Sequence, residues 1–168
     1  LANEDDDPAF IRAATTPKRG IGAATLQVLG TYAGERHVSL FHAAFEEGFA
    51  GRVQPRQIEP LRGFCQFINR LQYRAGREPA QQVLPDLLKA IDYESYLHDH
   101  EEQRTALTRW ANVCEFADWL NRKGEEDGKT LIDMVQSIAL INLLDKQEGE
   151  ETDAVRLSTL HAAKGLEY

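Results

Sequence analysis

The sequence predicts a mainly α protein that carries one β-strand near its C-terminal end. Two observations carry this. Apolar residues recur at three- and four-residue spacing through successive stretches bounded by Pro, Gly and acidic runs, and period-two alternation appears only at 154–160. Asp7-Pro8 opens the first helix, over 9–14, as an acidic N-cap followed by Pro at the first helical position. Thr16-Pro17 stops it, and Gly20-Ile21-Gly22 turns the chain into a second helix over 23–32. A short amphipathic piece follows at 39–46, then a Gly-rich loop at 48–51. Leu61, Phe64, Cys65, Ile68 and Leu71 then share one face of a long helix. Pro79 opens another helix, to residue 91, with a break or kink expected at Pro85.

The longest helix is expected over 101–123, with Leu107, Trp110, Cys114, Ala117 and Leu120 at helical spacing. Thr130 caps the next one, to about residue 146, with Asp133 reaching back as its capping-box partner. The apolar set of that helix (Leu131, Met134, Val135, Ile138, Ile141, Leu144) is wide enough to pack on two sides. Beyond the acidic run 148–153, Val155, Leu157 and Thr159 fall on one face of the expected strand. A lone strand leaves its own backbone groups unpaired, so the sequence implies a partner sheet supplied from elsewhere.

Length and composition narrow the class. The chain has 168 residues, 42% apolar and 27% charged, which suits one domain or a small domain with attached edges. No apolar run approaches the ~18 residues of a transmembrane helix, and no basic, then apolar, leader opens the chain. A start without Met, inside an acidic run, is expected of a piece of something larger. Cys65 and Cys114 read as small buried residues of a reducing compartment rather than a disulfide framework. The net charge of −8 is unevenly spread. Residues 8–36 sum to +3 and 51–79 to +4, whereas 92–127 sum to −6, so phosphate contacts are expected in the first half.

Two motifs dissolve on inspection. Gly124-Glu-Glu-Asp-Gly-Lys129-Thr130 has a three-residue spacer where a phosphate-binding loop needs four, no strand before it, and three acids that would repel phosphate. It reads as an acidic inter-helix loop. His98-Asp99-His100 stands near an expected helix start, where side chains two apart do not converge on a metal.

Two others carry chemistry. In Thr16-Pro-Lys18-Arg19-Gly20-Ile21-Gly22-Ala-Ala-Thr25, glycines let the backbone approach a surface, the next helix aims free N–H groups outward, and Lys18 and Arg19 add charge. That is how a hairpin grips a DNA phosphate without reading bases; an ordinary corner with a surface Lys-Arg pair fits the residues equally well. At the C-terminus, Val155-Arg-Leu157-Ser-Thr159-Leu-His161-Ala-Ala-Lys164-Gly165-Leu-Glu167-Tyr168 places Thr, His, Lys and Glu at a strand's C-terminal end, where α/β sheets bind ligands.

This last stretch resembles motif V of the UvrD/PcrA/Rep group of superfamily 1 DNA helicases. Two further stretches agree: Asn3 to Phe10 followed by Thr16 to Gly22 resembles the start of that group's 2B subdomain, and Ile91-Asp-Tyr-Glu-Ser-Tyr-Leu97 resembles its Rep branch. The resemblance spans the chain in the family's order. It implies a helical 2B-like subdomain over 1–150 and the edge of a RecA-like 2A motor domain over 151–168.

It also implies a parent that unwinds DNA 3′-to-5′ with ATP and Mg²⁺ in the bacterial cytoplasm, in replication or repair. Lys18, Arg19, Gly20, Ile21, Gly22 and Thr25 then become candidates for the duplex backbone, and Thr159 and His161 for the single strand. Lys164, Gly165 and Glu167 match positions near the nucleotide. The implied partners are duplex and single-stranded DNA and the motor domains of the same parent, with no membrane. The phosphate-binding loop, the Mg²⁺-binding acids and the catalytic arginines are not in this stretch, so the chain alone is expected not to hydrolyse ATP. A stand-alone helical DNA-binding module and an all-α protein-interaction domain are the alternatives.

Overall fold

A computed structural model describes residues 2–147, with side chains as far as Leu140. Within them the chain forms nine helices and no strand: α1 Asp7–Thr15, α2 Ala23–Arg36, α3 Leu40–Ala43, α4 Glu47–Ala50, α5 Pro55–Ala75, α6 Ala80–Ile91, α7 Tyr93–His100, α8 Gln103–Asp127 and α9 Leu131–Gln147. The mainly α expectation holds. The strand expected at 154–160 lies outside the described residues.

Local chemistry explains most boundaries. Asp6, not Asp7, caps α1, its carboxylate accepting the Ala9 amide at 2.8 Å. Asp7 is thereby the first helical residue, and its Oδ1 accepts the Leu40 amide at 2.8 Å, tying α1 to α3. Gln54 and Gln57 form a reciprocal capping box at the start of α5. Thr130 and Asp133 do the same for α9: the Thr130 amide and hydroxyl donate to Asp133 Oδ2 at 3.0 and 2.7 Å. Those bonds hold the Asp133 carboxyl below its ordinary value, the hydroxyl contributing most.

The structure departs from the sequence expectations at several points. Residues 47–50 form the one-turn α4 instead of a loop. α6 continues through Pro85 without a break. Residues 93–100 are a separate helix entered from Asp92 in the left-handed region at φ 48°, which puts His98 and His100 in its last turn. α8 runs through Gly124 to Asp127 and ends at Gly128, φ 61°. The presumed acidic loop is therefore mostly helix. Gly124 is buried against the Lys129 carbonyl, a position that tolerates no side chain without a shift. On α8, Ala106 is buried and Leu107 is 53% exposed, so the apolar stripe departs from the expected one at its first member, while Trp110, Cys114, Ala117 and Leu120 stay on the covered side. Leu140 on α9 is also exposed, so as far as the described side chains reach α9 buries one side.

Two apolar cores result. The first joins Phe10, Leu29, Tyr32, Phe41, Phe49, Leu61 and Phe64, with Phe10 edge-on to Phe41 and Phe64 at 6.2 and 5.8 Å. The second joins Leu71, Val83, Leu84, Leu120, Leu131 and Met134. α5 supplies both: Ile58 to Cys65 enter the first and Leu71 and Ala75 the second.

Candidate nucleic-acid interface

The hairpin between α1 and α2 is built by backbone constraint and then braced from below. Thr16, extended, ends α1, and Gly20 adopts φ 75°, a conformation that costs an L-residue with a side chain roughly 1–2 kcal/mol. Gly22 is the N-cap of α2 and no side chain satisfies that terminus. The first intrahelical bond is from the Leu26 amide to the Gly22 carbonyl, at 3.2 Å, so the amides of Ala23, Ala24 and Thr25 have no partner within the helix. Gly22, Ala23 and Ala24 are exposed. The positive end of a 14-residue helix is thus presented at a surface without bulky side chains.

The brace comes from α5, about forty positions on. A Cβ on Gly20 would lie 3.8 Å from Pro60, and the Arg19 guanidinium carbon sits 5.6 Å from the centre of the Phe64 ring. Arg19 also donates to the Pro17 carbonyl at 2.7 Å. Its partial burial lowers its pKa without threatening its charge. Ile21 packs against the first core. Lys18, by contrast, is exposed and makes no ion pair among the described residues. Lys18, Arg19, Pro60, Phe64, Phe67, Ala90 and Ile91 line a shallow cavity of about 320 Å³ beside the hairpin.

The candidates for the duplex backbone therefore divide. Lys18, Gly20 and Gly22 face out; Arg19 and Ile21 are half-buried; the Thr25 side chain is buried at 3% exposure, leaving only its amide to reach a ligand. Thr159, His161, Lys164, Gly165 and Glu167 lie outside the described residues. Pro60 and Phe64, which shape the hairpin, carry no local signal of that role, since the contact is long-range.

A family model for the UvrD-like helicase C-terminal domain matches residues 1–168. The chain belongs to that family. It is 40% identical to the ATP-dependent DNA helicase Rep of Salmonella typhimurium and 38% to that of Escherichia coli, covering 100% of this chain and 26% of each relative. It is 33% identical to the ATP-dependent DNA helicase PcrA of Bacillus subtilis, again over 100% of the chain and 23% of the relative. The chain thus spans about a quarter of the length of these relatives.

Within this family member, four of the six arginines in the second basic run are engaged by other groups, three of them by carboxylates. Arg52 pairs with Glu35 at 2.6 Å and lies 4.8 Å over the Tyr32 ring. Arg62 donates to the carbonyls of Ala44 and Phe45 and meets Glu47 at 3.4 Å. Arg74 is held between Glu78 and Asp86 at 2.7 and 2.9 Å, which raises its pKa. Arg77 folds back over Tyr73 at 3.9 Å. No helix of the described residues is long and apolar enough to cross a membrane, and no cluster of three metal-ligating side chains occurs among them.

Proposed function

We propose that residues 1–150 are the helical, duplex-contacting 2B-like subdomain of an ATP-dependent DNA helicase that unwinds DNA 3′-to-5′. Residues 151–168 are its link into a RecA-like motor domain. The observation that carries this reading is the family match over the full chain, to relatives about four times its length that are named ATP-dependent DNA helicases. The hairpin geometry supports it. A helix N-terminus stripped of side chains, beside a Lys18 that makes no ion pair among the described residues, suits the backbone of a duplex better than any base edge.

On this reading each candidate residue takes a role. Lys18 supplies the full charge, and the amides of Ala23, Ala24 and Thr25 donate to phosphate oxygens. Gly20 and Gly22 permit close approach. Arg19 and Ile21 hold the hairpin on α5 rather than gripping DNA, since both are committed to Phe64, Pro17 and the core. Thr159 and His161 are assigned to the single strand, and Lys164, Gly165 and Glu167 to the nucleotide, with Glu167 as acceptor for the ribose hydroxyl. A motif that meets both ligands couples nucleotide state to DNA grip. ATP and Mg²⁺ are bound chiefly by motor segments of the parent, which acts in the bacterial cytoplasm, in replication or repair.

The test is binding of this chain to a duplex with a single-stranded tail, alongside an ATPase assay. Salt-sensitive junction binding without ATP turnover is expected. A chain that hydrolyses ATP by itself, or that ignores the junction at low salt, refutes the reading.

A further inference from the structure

We infer a second phosphate-contact line on the exposed flank of α5, formed by Arg56, Gly63 and Arg70, that extends the hairpin's grip along the duplex backbone. It rests on the reading that the hairpin meets duplex DNA. Of the six arginines in 51–79, four are occupied by carboxylates, carbonyls or rings, as described above. Arg56 and Arg70 make no ion pair or hydrogen bond among the described residues, and both are exposed.

Helical arithmetic puts them in line. Arg56, Gly63 and Arg70 recur every seven residues, so each step along α5 drifts by only ~20° around the axis. Arg56 and Gly63 lie four before and three after Pro60, and Arg70 lies three after Phe67. Each member of the stripe is therefore a surface neighbour of a residue lining the hairpin cavity. The stripe passes beside the hairpin's seat, Arg56 on one side of Pro60 and Gly63 and Arg70 on the other.

Gly63, midway, is exposed, and a Cβ there would meet nothing within 4 Å, so a sugar–phosphate chain can come close to the helix between the two arginines. The arginines are about 21 Å apart along the axis, or roughly six base-pair rises of B-DNA. They therefore meet well-separated phosphates rather than one. Glu59 is the only acid in α5 and sits one turn from Arg56, where it opposes binding. At the far end Glu78 and Asp86, which neutralise Arg74, close the line.

Anisotropy of this chain with a labelled duplex of about 20 base pairs, between about 50 and 200 mM NaCl, tests the proposal. Three contacts (Lys18, Arg56, Arg70) give a slope of log affinity on log salt near −2.7, or about a 40-fold loss over that range. The double variant Arg56→Gln with Arg70→Gln should flatten the slope to about −0.9, a loss of roughly 3- to 4-fold, with unchanged helicity. Glu59→Gln should tighten binding.

If the double variant keeps the full slope while Lys18→Gln lowers it, the α5 line is refuted and the hairpin reading stands. If only the double variant lowers it, α5 meets phosphate without the hairpin, and both the hairpin reading and the extension of its grip are overturned. Equal slopes in all variants refute both. Binding to the single strand as tight as to the duplex overturns the assignment to duplex.

Discussion

Alanine introduced at two exposed glycines on the helices that flank the first core should act with opposite sign, and the structure gives the reason for each. A Cβ at Gly48 in α4 would collide with the Tyr32 hydroxyl and come within 3.1 Å of its Cζ and 3.3 Å of Cε2. The ring cannot swing away cheaply. It lies 6.0 Å from Phe49 and beneath the Arg52 guanidinium, and its hydroxyl donates to Glu46 at 2.6 Å. Overpacking of this kind costs about 1–3 kcal/mol, and the better helix propensity of Ala returns roughly 0.5–1 kcal/mol. Gly48→Ala is therefore expected to destabilise by about 0.5–2 kcal/mol.

At Gly30, in the interior of α2, a Cβ meets nothing within 4 Å. Only the propensity gain remains, so Gly30→Ala should stabilise by about 0.5–1 kcal/mol. Urea unfolding followed by circular dichroism reads both as shifts of midpoint at unchanged slope. Adding Tyr32→Phe to Gly48→Ala removes the colliding oxygen and should recover part of the loss. Gly48→Ala as benign as Gly30→Ala would refute the packing argument around Tyr32.

Other predictions are narrower. Burial pushes the Cys65 thiol up to about 12, whereas Cys114 is only partly buried, so the folded chain should show one reactive thiol equivalent to a disulfide reagent near neutral pH and two in denaturant; two fast equivalents in the native state would contradict the packing of α5. Because its carboxyl is held below the ordinary aspartate value, Asp133 stabilises the fold fully above that value. The contribution fades as pH falls through the lowered one. The melting-temperature gap between this chain and Asp133→Asn should therefore close on acidification, and a gap that widens instead would reverse the sign. Lys18→Ala should weaken duplex binding and leave the melting temperature alone. Arg19→Ala should lower the melting temperature by loosening the hairpin from Phe64, and equal effects of the two would deny the division of labour.

Much of this fold is legible in the residues because its signals are local. The Thr130–Asp133 box, the Pro-Gly punctuation and the stripe from Leu61 to Leu71 each specify an element within a few positions. What escaped depends on distance. Residues 47–50 are helical with Phe49 buried in a core built by residues far along the chain, and Gly124 continues α8 because its bare face meets the Lys129 carbonyl. α7 begins where Asp92 reverses the chain in the left-handed region, a step that Asp tolerates but does not announce. The hairpin's turn was readable from Thr16-Pro17 and its glycines, whereas the engagement of Arg19 by Phe64 and the burial of Thr25 were not. The same holds for the arginines of 51–79: net charge counts six cations, and only side-chain geometry shows which are already spent.

The long α5 helix has a mechanical consequence. A continuous strut about 31 Å long is rooted at one end under the hairpin and at the other among α6, α8 and α9. Neither bundle can melt without stripping a wall from the other, so the two should lose structure in a single transition.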